Sequence, residues 1–299
     1  MSKKCYIIEQ ETGEILNDNF VIDELEDQER KRKGAIKAKD FEEYKEIQSE
    51  IMGNFIFFLY KNMDKLKELL TDAEIVKYIY LATYTKKDGY LISDNNNTYI
   101  DKKKMQELLL LSKNPFLKFY NKLIKNKLLL EEKKSKIYKI NIDMFWRGKR
   151  TDYKQQTGTE MIDYIRLYIN ATRFLYTQNQ KNCRKLIIAY QLLPYTNWKY
   201  NVLCTDVKEV DKKKIKPLTI KDVMSILNYD KTHAARFKKY FYDIKYGENV
   251  LFKTVQDQPE WNTSIILVNP MFAYRNKNLQ DLGENFNIFD INTGTRQIE

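Results

Sequence analysis

Apolar residues recur at helical spacing through much of the first 150 residues. Positions three or four apart form an apolar stripe over 51–70 and again over 71–84, which predicts two amphipathic helices. Asp101 and Ser112 each precede a further helical pattern, as N-cap residues do, and predict helices through 110 and 127. Short apolar runs at 128–130 and 137–142 then predict two strands joined by a lysine-rich turn.

The second half of the chain repeats this order of elements, which indicates an internal repeat. Thr219 and Asp230 take the places of the two N-cap residues and predict helices through 227 and 244, followed by two strands. The offset between the copies grows at 207–217 and at 257–263, where loops are expected to absorb insertions. The aligned pairs, with their offsets, are Thr71 and Asn182 (111), Asp101 and Thr219 (118), and Asn141 and Asn269 (128).

The order of elements in each copy is helix, helix, strand, helix, tight turn, helix, strand, strand, and it resembles the winged helix, a helix-turn-helix with a β-hairpin wing. We therefore predict a mainly α protein with small β-hairpins, of the α+β class, built from two tandem winged-helix domains. The predicted ranges are an acidic, charged N-terminal tail at 1–50, a first domain at 51–150, a second at 157–278 and a C-terminal tail at 279–299. Apolar runs on either side of Gly13 indicate a small hairpin within an otherwise loosely ordered N-terminal tail.

Reactive side chains are few in this sequence. A single histidine, His233, excludes any site that needs paired imidazoles, and three widely spaced cysteines indicate neither a zinc site nor a disulfide framework. The nine glycines form no GxxxxGK[ST] or GxGxxG loop, so the usual cradles for ATP and NAD are missing. These absences lead us to expect a protein that is not an enzyme and uses no cofactor or metal. Since no apolar run approaches the ~18 residues of a membrane span, we also expect the protein to be cytoplasmic.

The charge of the chain is distributed unevenly. The 299 residues carry a formal net charge of +11, yet residues 1–30 hold nine acidic and three basic side chains. Residues 101–150, in contrast, hold fifteen basic and five acidic side chains, close to the predicted helix-turn-helix and wing. Such a concentration of cations favours a polyanionic partner.

The helix predicted after Ser112 has two chemically different sides. At 100° per residue, one side carries Phe116, Phe119, Tyr120 and Leu123, whereas the opposite side carries lysine and asparagine with no acidic residue. Exposed helices normally mix both signs of charge, and asparagine can read adenine edges while lysine contacts phosphate or guanine. The candidate DNA-binding residues of the first copy are Lys113, Asn114, Lys118, Asn121, Lys122 and Lys125 on the helix and Lys133, Lys134 and Lys136 on the wing.

The second copy shows a similar but less basic helix. His233 falls near its apolar side, and we interpret it as a structural residue at the start of the helix. Trp146 and Tyr274 follow the last strand of each copy and are interpreted as core residues in preference to base-stacking platforms. The candidate DNA-binding residues of the second copy are Lys231, Thr232, Arg236 and Lys239.

Two families resemble parts of this pattern. The stretch from 51 to 150, with its helix-turn-helix at 101–127 and its ending Asn141-Ile142-Asp143-Met144-Phe145-Trp146-Arg147-Gly148-Lys149, resembles the winged-helix domain of Firmicute plasmid replication proteins of the RepL type. The tandem arrangement over 51–277 is similar to iteron-binding plasmid initiators, whose two winged-helix domains contact successive turns of origin DNA. This sequence departs from the RepL type in having a second copy.

The sequence therefore predicts a sequence-selective double-stranded DNA-binding protein of a phage or plasmid, acting as a replication initiator or a transcription regulator. It would act as a monomer or homodimer, with host replication or transcription proteins as further partners. One alternative is a winged-helix protein-interaction or assembly module, in which the acidic tail binds a partner or shields the basic face. Another is a metal-dependent nuclease that uses carboxylates and lysine, or a tyrosine nucleophile, although no cluster of acidic residues stands out.

Overall fold

The structure is a computed structural model that describes residues 3–8, 15–22, 52–94, 97–132, 135–256, 263–276 and 280–289. The backbone alone is described for the first two ranges and for residues 87, 231, 280, 283 and 284. By its contacts the chain divides into two units, Met1–Gln48 and Ser49–Glu299.

The smaller unit contains an antiparallel hairpin of β1 (Lys3–Ile8) and β2 (Ile15–Ile22). Lys3 lies opposite Ile22 at one end of the pair, and Ile8 lies opposite Ile15 at the other. The hairpin that the sequence indicates around Gly13 is thus present, and both of its strands are longer than the apolar runs that suggested it.

The larger unit is a mixed α/β structure with small antiparallel sheets, in agreement with the predicted α+β class. Its first half contains, in chain order, β3 (Phe55–Phe58), α1 (Met63–Leu69), α2 (Asp72–Ala82), α3 (Lys102–Leu109), α4 (Lys113–Lys125), β4 (Leu129–Glu132), β5 (Ile137–Ile140) and β6 (Phe145–Trp146). Helix α5 (Arg150–Thr157) connects the two halves. The second half contains β7 (Ile165–Tyr168), α6 (Ile169–Gln178), α7 (Ile187–Leu192), α8 (Ile220–Ile226), α9 (Ala234–Tyr242), β8 (Lys245–Tyr246), β9 (Asn249–Val250), β10 (Phe252–Val255), β11 (Ile265–Val268), β12 (Ala273–Tyr274) and α10 (Gly283–Ile288).

Two stretches differ from the sequence prediction. Residues 51–70 are not one helix, because Phe55–Phe58 pairs as strand β3 with β6 and β7 and helix α1 begins only at Met63. An aromatic and β-branched run suits a buried strand, and its tertiary pairing overrides the helical spacing. Within the range predicted as a C-terminal tail, residues 280–289 form a helical turn and α10, which buries Phe286 and Phe289.

The internal repeat is visible in matching hydrogen bonds. The backbone N of Asn141 donates to Leu128 O at 3.0 Å, and that of Asn269 donates to Leu251 O at 2.8 Å. Each of the two asparagines also accepts at Oδ1 a backbone hydrogen bond, 2.9 Å long, from the residue two positions later. Leu128 and Leu251 are therefore equivalent. This equivalence places an insertion in the second half before Leu251, which the sequence did not reveal and which contains the short hairpin β8–β9.

The two halves share a four-stranded sheet with the order β12, β7, β3, β6. Each half contributes its first strand to the centre and its last strand to an edge, so the sheet has an approximate two-fold axis. Phe57 lies opposite Arg166 in the central β3–β7 pair, and the two residues are equivalents, since Phe57 pairs with Trp146 as Arg166 pairs with Tyr274. We call this arrangement the two-fold sheet. One apolar core joins the halves across it, from Phe58 and Tyr78 to Phe237 and Phe252.

Candidate nucleic-acid interface

Helix α3 and helix α4 meet at a tight turn that the sequence specifies locally. Asp101 caps α3 by accepting a hydrogen bond of 2.7 Å from the backbone N of Lys104, as predicted. Leu110 ends α3 in the left-handed conformation with φ 51°, and its equivalent Asn228 has φ 52° after α8. The same turn therefore orients α4 in the first half and the segment that leads into α9 in the second.

The apolar side of α4 is buried as predicted. Phe116, Phe119 and Leu123 are each at most 3% exposed. The opposite side is exposed, and within the described part of the chain no Asp or Glu oxygen lies within 4.0 Å of the Nζ of a lysine on it. The residues of this surface, which we call the α4 face, are Lys113, Asn114, Lys118, Asn121 and Lys125.

Lys122 differs from the other lysines of α4. Its Nζ lies 2.8 Å from Oε1 and 2.7 Å from Oε2 of Glu74 in helix α2, so its charge is engaged within the protein. Glu74 also accepts hydrogen bonds from the backbone N and Oγ1 of Thr71. Burial alone would raise the pKa of Glu74, but these hydrogen bonds outweigh burial and lower the pKa. Lys122 thus fixes α4 to α2, a role that the sequence alone did not separate from the rest of the basic surface.

The hairpin β4–β5 lies where the sequence predicts the wing of the first half. Lys136 is exposed at its turn with φ 53°, whereas Lys133 and Lys134 lie outside the described residues. Glu131 in β4 accepts hydrogen bonds from the hydroxyls of Tyr120 in α4, at 3.2 Å, and Tyr138 in β5, at 3.0 Å. This contact attaches the hairpin to the buried side of α4, on which Tyr120 lies.

The contact of Glu131 with Tyr120 and Tyr138 could not be predicted from the sequence, because it joins the three elements α4, β4 and β5. Burial first, and then the hydrogen bonds with Tyr120 and Glu131, raise the pKa of Tyr138, so its hydroxyl stays protonated and can donate. The neighbouring Glu132 points to a different partner, since its Oε1 lies 3.0 Å from Nζ of Lys139. Period-2 alternation in β4 could have shown that the two glutamates face opposite sides, but not which partners they meet.

The second half presents a smaller polar surface. Thr219 and Asp222 form a capping box at the start of α8, with the backbone N of Thr219 2.8 Å from Asp222 Oδ2. Thr232, Arg236 and Lys239 are exposed at or near α9, and the side chain of Lys231 is outside the described residues.

His233 is the N-cap residue of α9, as expected of a residue at the start of the helix, but its side chain is exposed and does not lie near the apolar side. Residues Lys231–His233 form a 3₁₀ turn before α9, and the different period of that turn moves the side chain off the apolar side. The interpretation of Trp146 and Tyr274 is confirmed, since both are fully buried in the two-fold sheet.

Comparisons with protein-family models, with curated proteins and with solved structures find no match for this chain. None of the helices that the structure describes has the length and apolar character needed to cross a bilayer. In the same described residues, no three His, Cys, Asp or Glu side chains come together as a metal site would require.

Proposed function

We propose that this protein binds double-stranded DNA sequence-selectively through two winged-helix halves, as a replication initiator or a transcription regulator of a phage or plasmid. The observation that carries the proposal is the α4 face. It offers three lysines without an acidic partner among the described residues, together with Asn114 and Asn121, on a helix that follows a tight turn and precedes a hairpin.

The shape of α4 fits this role. At ~1.5 Å per residue its 13 residues extend about 20 Å, and the B-DNA major groove, ~12 Å wide, admits an α-helix. Lysines on such a helix neutralise phosphates, and asparagine side chains can bond adenine at N6 and N7. Lys136 at the turn of β4–β5 extends the cationic surface onto the wing.

The two-fold sheet supports the use of both halves together. Helix-turn-helix dimers place two reading helices about a two-fold axis and bind half-sites one helical turn, ~10 bp, apart. Here Phe57 and Arg166 mark a comparable axis within one chain. The proposal accordingly favours a bipartite site with two half-sites about one turn apart.

The test is a titration with source-genome DNA fragments at several salt concentrations, followed by footprinting of the bound fragment. Counterion release makes log K fall with log salt in proportion to the phosphates neutralised, with a slope of about −0.9 for each. Lys118→Ala should weaken binding and flatten the slope, whereas the matched control Lys154→Ala, on α5, should do neither. Wild-type protein that shows no salt-dependent DNA binding would overturn the proposal and favour an interaction module.

A further inference from the structure

Two clefts of the larger unit meet at the first turn of α2. One cleft, of about 630 Å³, extends to Arg236 and Tyr240 of α9. The other, of about 720 Å³, extends to Lys122 of α4. Both are lined by Lys67, Asp72 and Arg184, so the two clefts adjoin at these side chains, and we call them together the groove.

Arg184 lies where the two halves meet again, away from the two-fold sheet. The repeat makes Asp72 equivalent to Cys183 and Ala73 equivalent to Arg184. These equivalents touch, since Sγ of Cys183 lies 3.9 Å from Ala73 O and Nε of Arg184 lies 3.2 Å from Asp72 Oδ2. Arg184 therefore stands near the axis that relates the halves, midway along the groove.

The cations at this midpoint are available to a ligand. The side chain of Arg184 is 76% exposed, although it is paired with Asp72, and that of Lys67 is 41% exposed beside Asp64 at 3.5 Å. Exposed ion pairs of this kind contribute little to stability, because water already screens both charges. Exchange of the carboxylate partner for a phosphate therefore requires little free energy.

We infer that this groove, with Arg184 and Lys67 at its midpoint, binds the phosphodiester backbone at the centre of the duplex, between the two stretches that α4 and α9 read. The inference rests on the proposed function. A duplex that contacts both α4 and α9 has to cross the point where the two clefts meet, and a backbone phosphate is the duplex group that a guanidinium binds best. Asp72 then acts as the internal stand-in for that phosphate in the free protein.

The experiment uses the full chain and a bound DNA fragment identified by footprinting. Arg184→Gln and Lys67→Gln should each reduce the salt slope by about 0.9, and Asp72→Asn, which frees Arg184, should tighten binding. Lys154→Gln is the matched control, because Lys154 is also an exposed, ion-paired cation but lies on α5. Thermal unfolding of each variant checks that its fold is intact.

A second measurement locates the contact on the DNA. Neutral methylphosphonates replace the phosphates midway between the footprints of the two helices. The substitution should weaken binding of the wild-type protein more than that of Arg184→Gln, because the variant has already lost one of the two phosphate contacts and retains only that of Lys67. Equal losses for both proteins would overturn the inference.

The two proposals fail in different ways. An unchanged salt slope for Arg184→Gln and Lys67→Gln, in protein whose DNA binding still depends on Lys118, would overturn the groove contact and leave the proposed function standing. Loss of polyglutamate binding in Arg184→Gln, with an unchanged slope on DNA, would also overturn the groove contact and assign the groove to an acidic protein partner. Absence of DNA binding by the wild-type chain would overturn both.

Discussion

Glu74 and Lys185 occupy equivalent positions in the two halves and carry opposite charges. Glu74 pairs with Lys122 of α4 at 2.7 Å, and Lys185 pairs with Asp243, directly after α9, at 3.5 Å. Each proposed reading helix is thus held to an earlier helical segment of its own half by one ion pair, with the charges reversed between the halves. An ion pair therefore fixes the position of each helix, although the residue types of the Glu74–Lys122 pair are not repeated at the equivalent positions of the second half.

The Lys122–Glu74 pair predicts a separation of stability from DNA affinity. Lys122→Met should lower the free energy of unfolding by about 1 kcal/mol, because it leaves the half-buried Glu74 without its cation. Its effect on the salt slope of DNA binding should be smaller than that of Lys118→Ala, whose side chain is exposed. Urea unfolding and DNA titration of the two variants side by side test this, and the opposite ranking would place Lys122 at the DNA.

The same pair predicts a dependence on pH. The pKa of Glu74 is lowered in the folded protein from its ordinary 4.5, so its ionised form stabilises the fold at neutral pH. This stabilisation is lost as the pH falls below 4.5 and through the folded pKa. The difference in unfolding free energy between wild type and Lys122→Met should therefore shrink on acidification, and a difference that stays constant between pH 7 and pH 3 would contradict the assignment.

The α4 face predicts how base preference and affinity divide among its residues. Asn121→Ala should relax the preference at one A·T position by about 1 to 3 kcal/mol, because a bidentate contact to adenine is lost. Lys118→Ala and Arg236→Ala should weaken binding to all sequences alike while the unfolding midpoint stays unchanged. Competition titrations with single-base variants of the bound site distinguish the two outcomes.

Removal of the negative charge of Glu131 should increase the affinity of the protein for DNA. Glu131→Gln keeps an acceptor for the hydroxyls of Tyr120 and Tyr138 but removes an exposed negative charge from the hairpin that packs on α4. Non-specific DNA binding should tighten about twofold at low salt, as expected for one charge at ~8 Å from a phosphate in water. Glu160→Gln, an exposed carboxylate next to α5, is the control, and equal effects of both variants would show that only net charge matters.

Gly89 adopts a backbone conformation that a side chain would strain, close to the hairpin β4–β5. It has φ +83°, and a Cβ at this position would lie 2.9 Å from Ile140 O in β5. Gly89→Ala should therefore lower the free energy of unfolding by about 2 to 3 kcal/mol. Gly158→Ala is a matched control with φ +71° and no atom within 4 Å of the added Cβ, so its cost should be about 1 kcal/mol.

We predict that deletion of residues 1–30 tightens non-specific DNA binding. This segment holds nine acidic and three basic side chains, and its removal reduces the like-charge repulsion from phosphate. The effect should disappear at high salt, where such repulsion is screened. Weaker binding after the deletion would instead assign the segment a direct role in the complex.

Local signals predicted much of the larger unit. The caps at Asp101 and Thr219 and the two-sided pattern of α4 are properties of a few neighbouring residues, and the structure confirms them. The sequence also aligned Asn141 with Asn269, and the structure supports this alignment because each asparagine makes the same short-range hydrogen bond.

The remaining features depend on contacts between distant residues. Strand β3 is a strand because β7 lies beside it, more than 100 residues later in the chain. The engagement of Lys122 by Glu74 likewise depends on packing of α4 against α2, and nothing in the sequence of α4 separates Lys122 from Lys118 or Lys125. A sequence pattern therefore identified the basic surface but not the lysine that serves the fold.

The two-fold sheet has a consequence for how the protein behaves on dilution. Paired helix-turn-helix subunits separate at low concentration, and their occupancy of a bipartite site then depends on protein concentration raised to a power above one. In this chain the β3–β7 pair joins the halves within one polypeptide, so the second half remains at a high effective concentration however dilute the protein is. Under the proposed function, occupancy by a single chain would respond to protein concentration with a Hill coefficient of about one, and the first few copies made in a cell would already engage both half-sites.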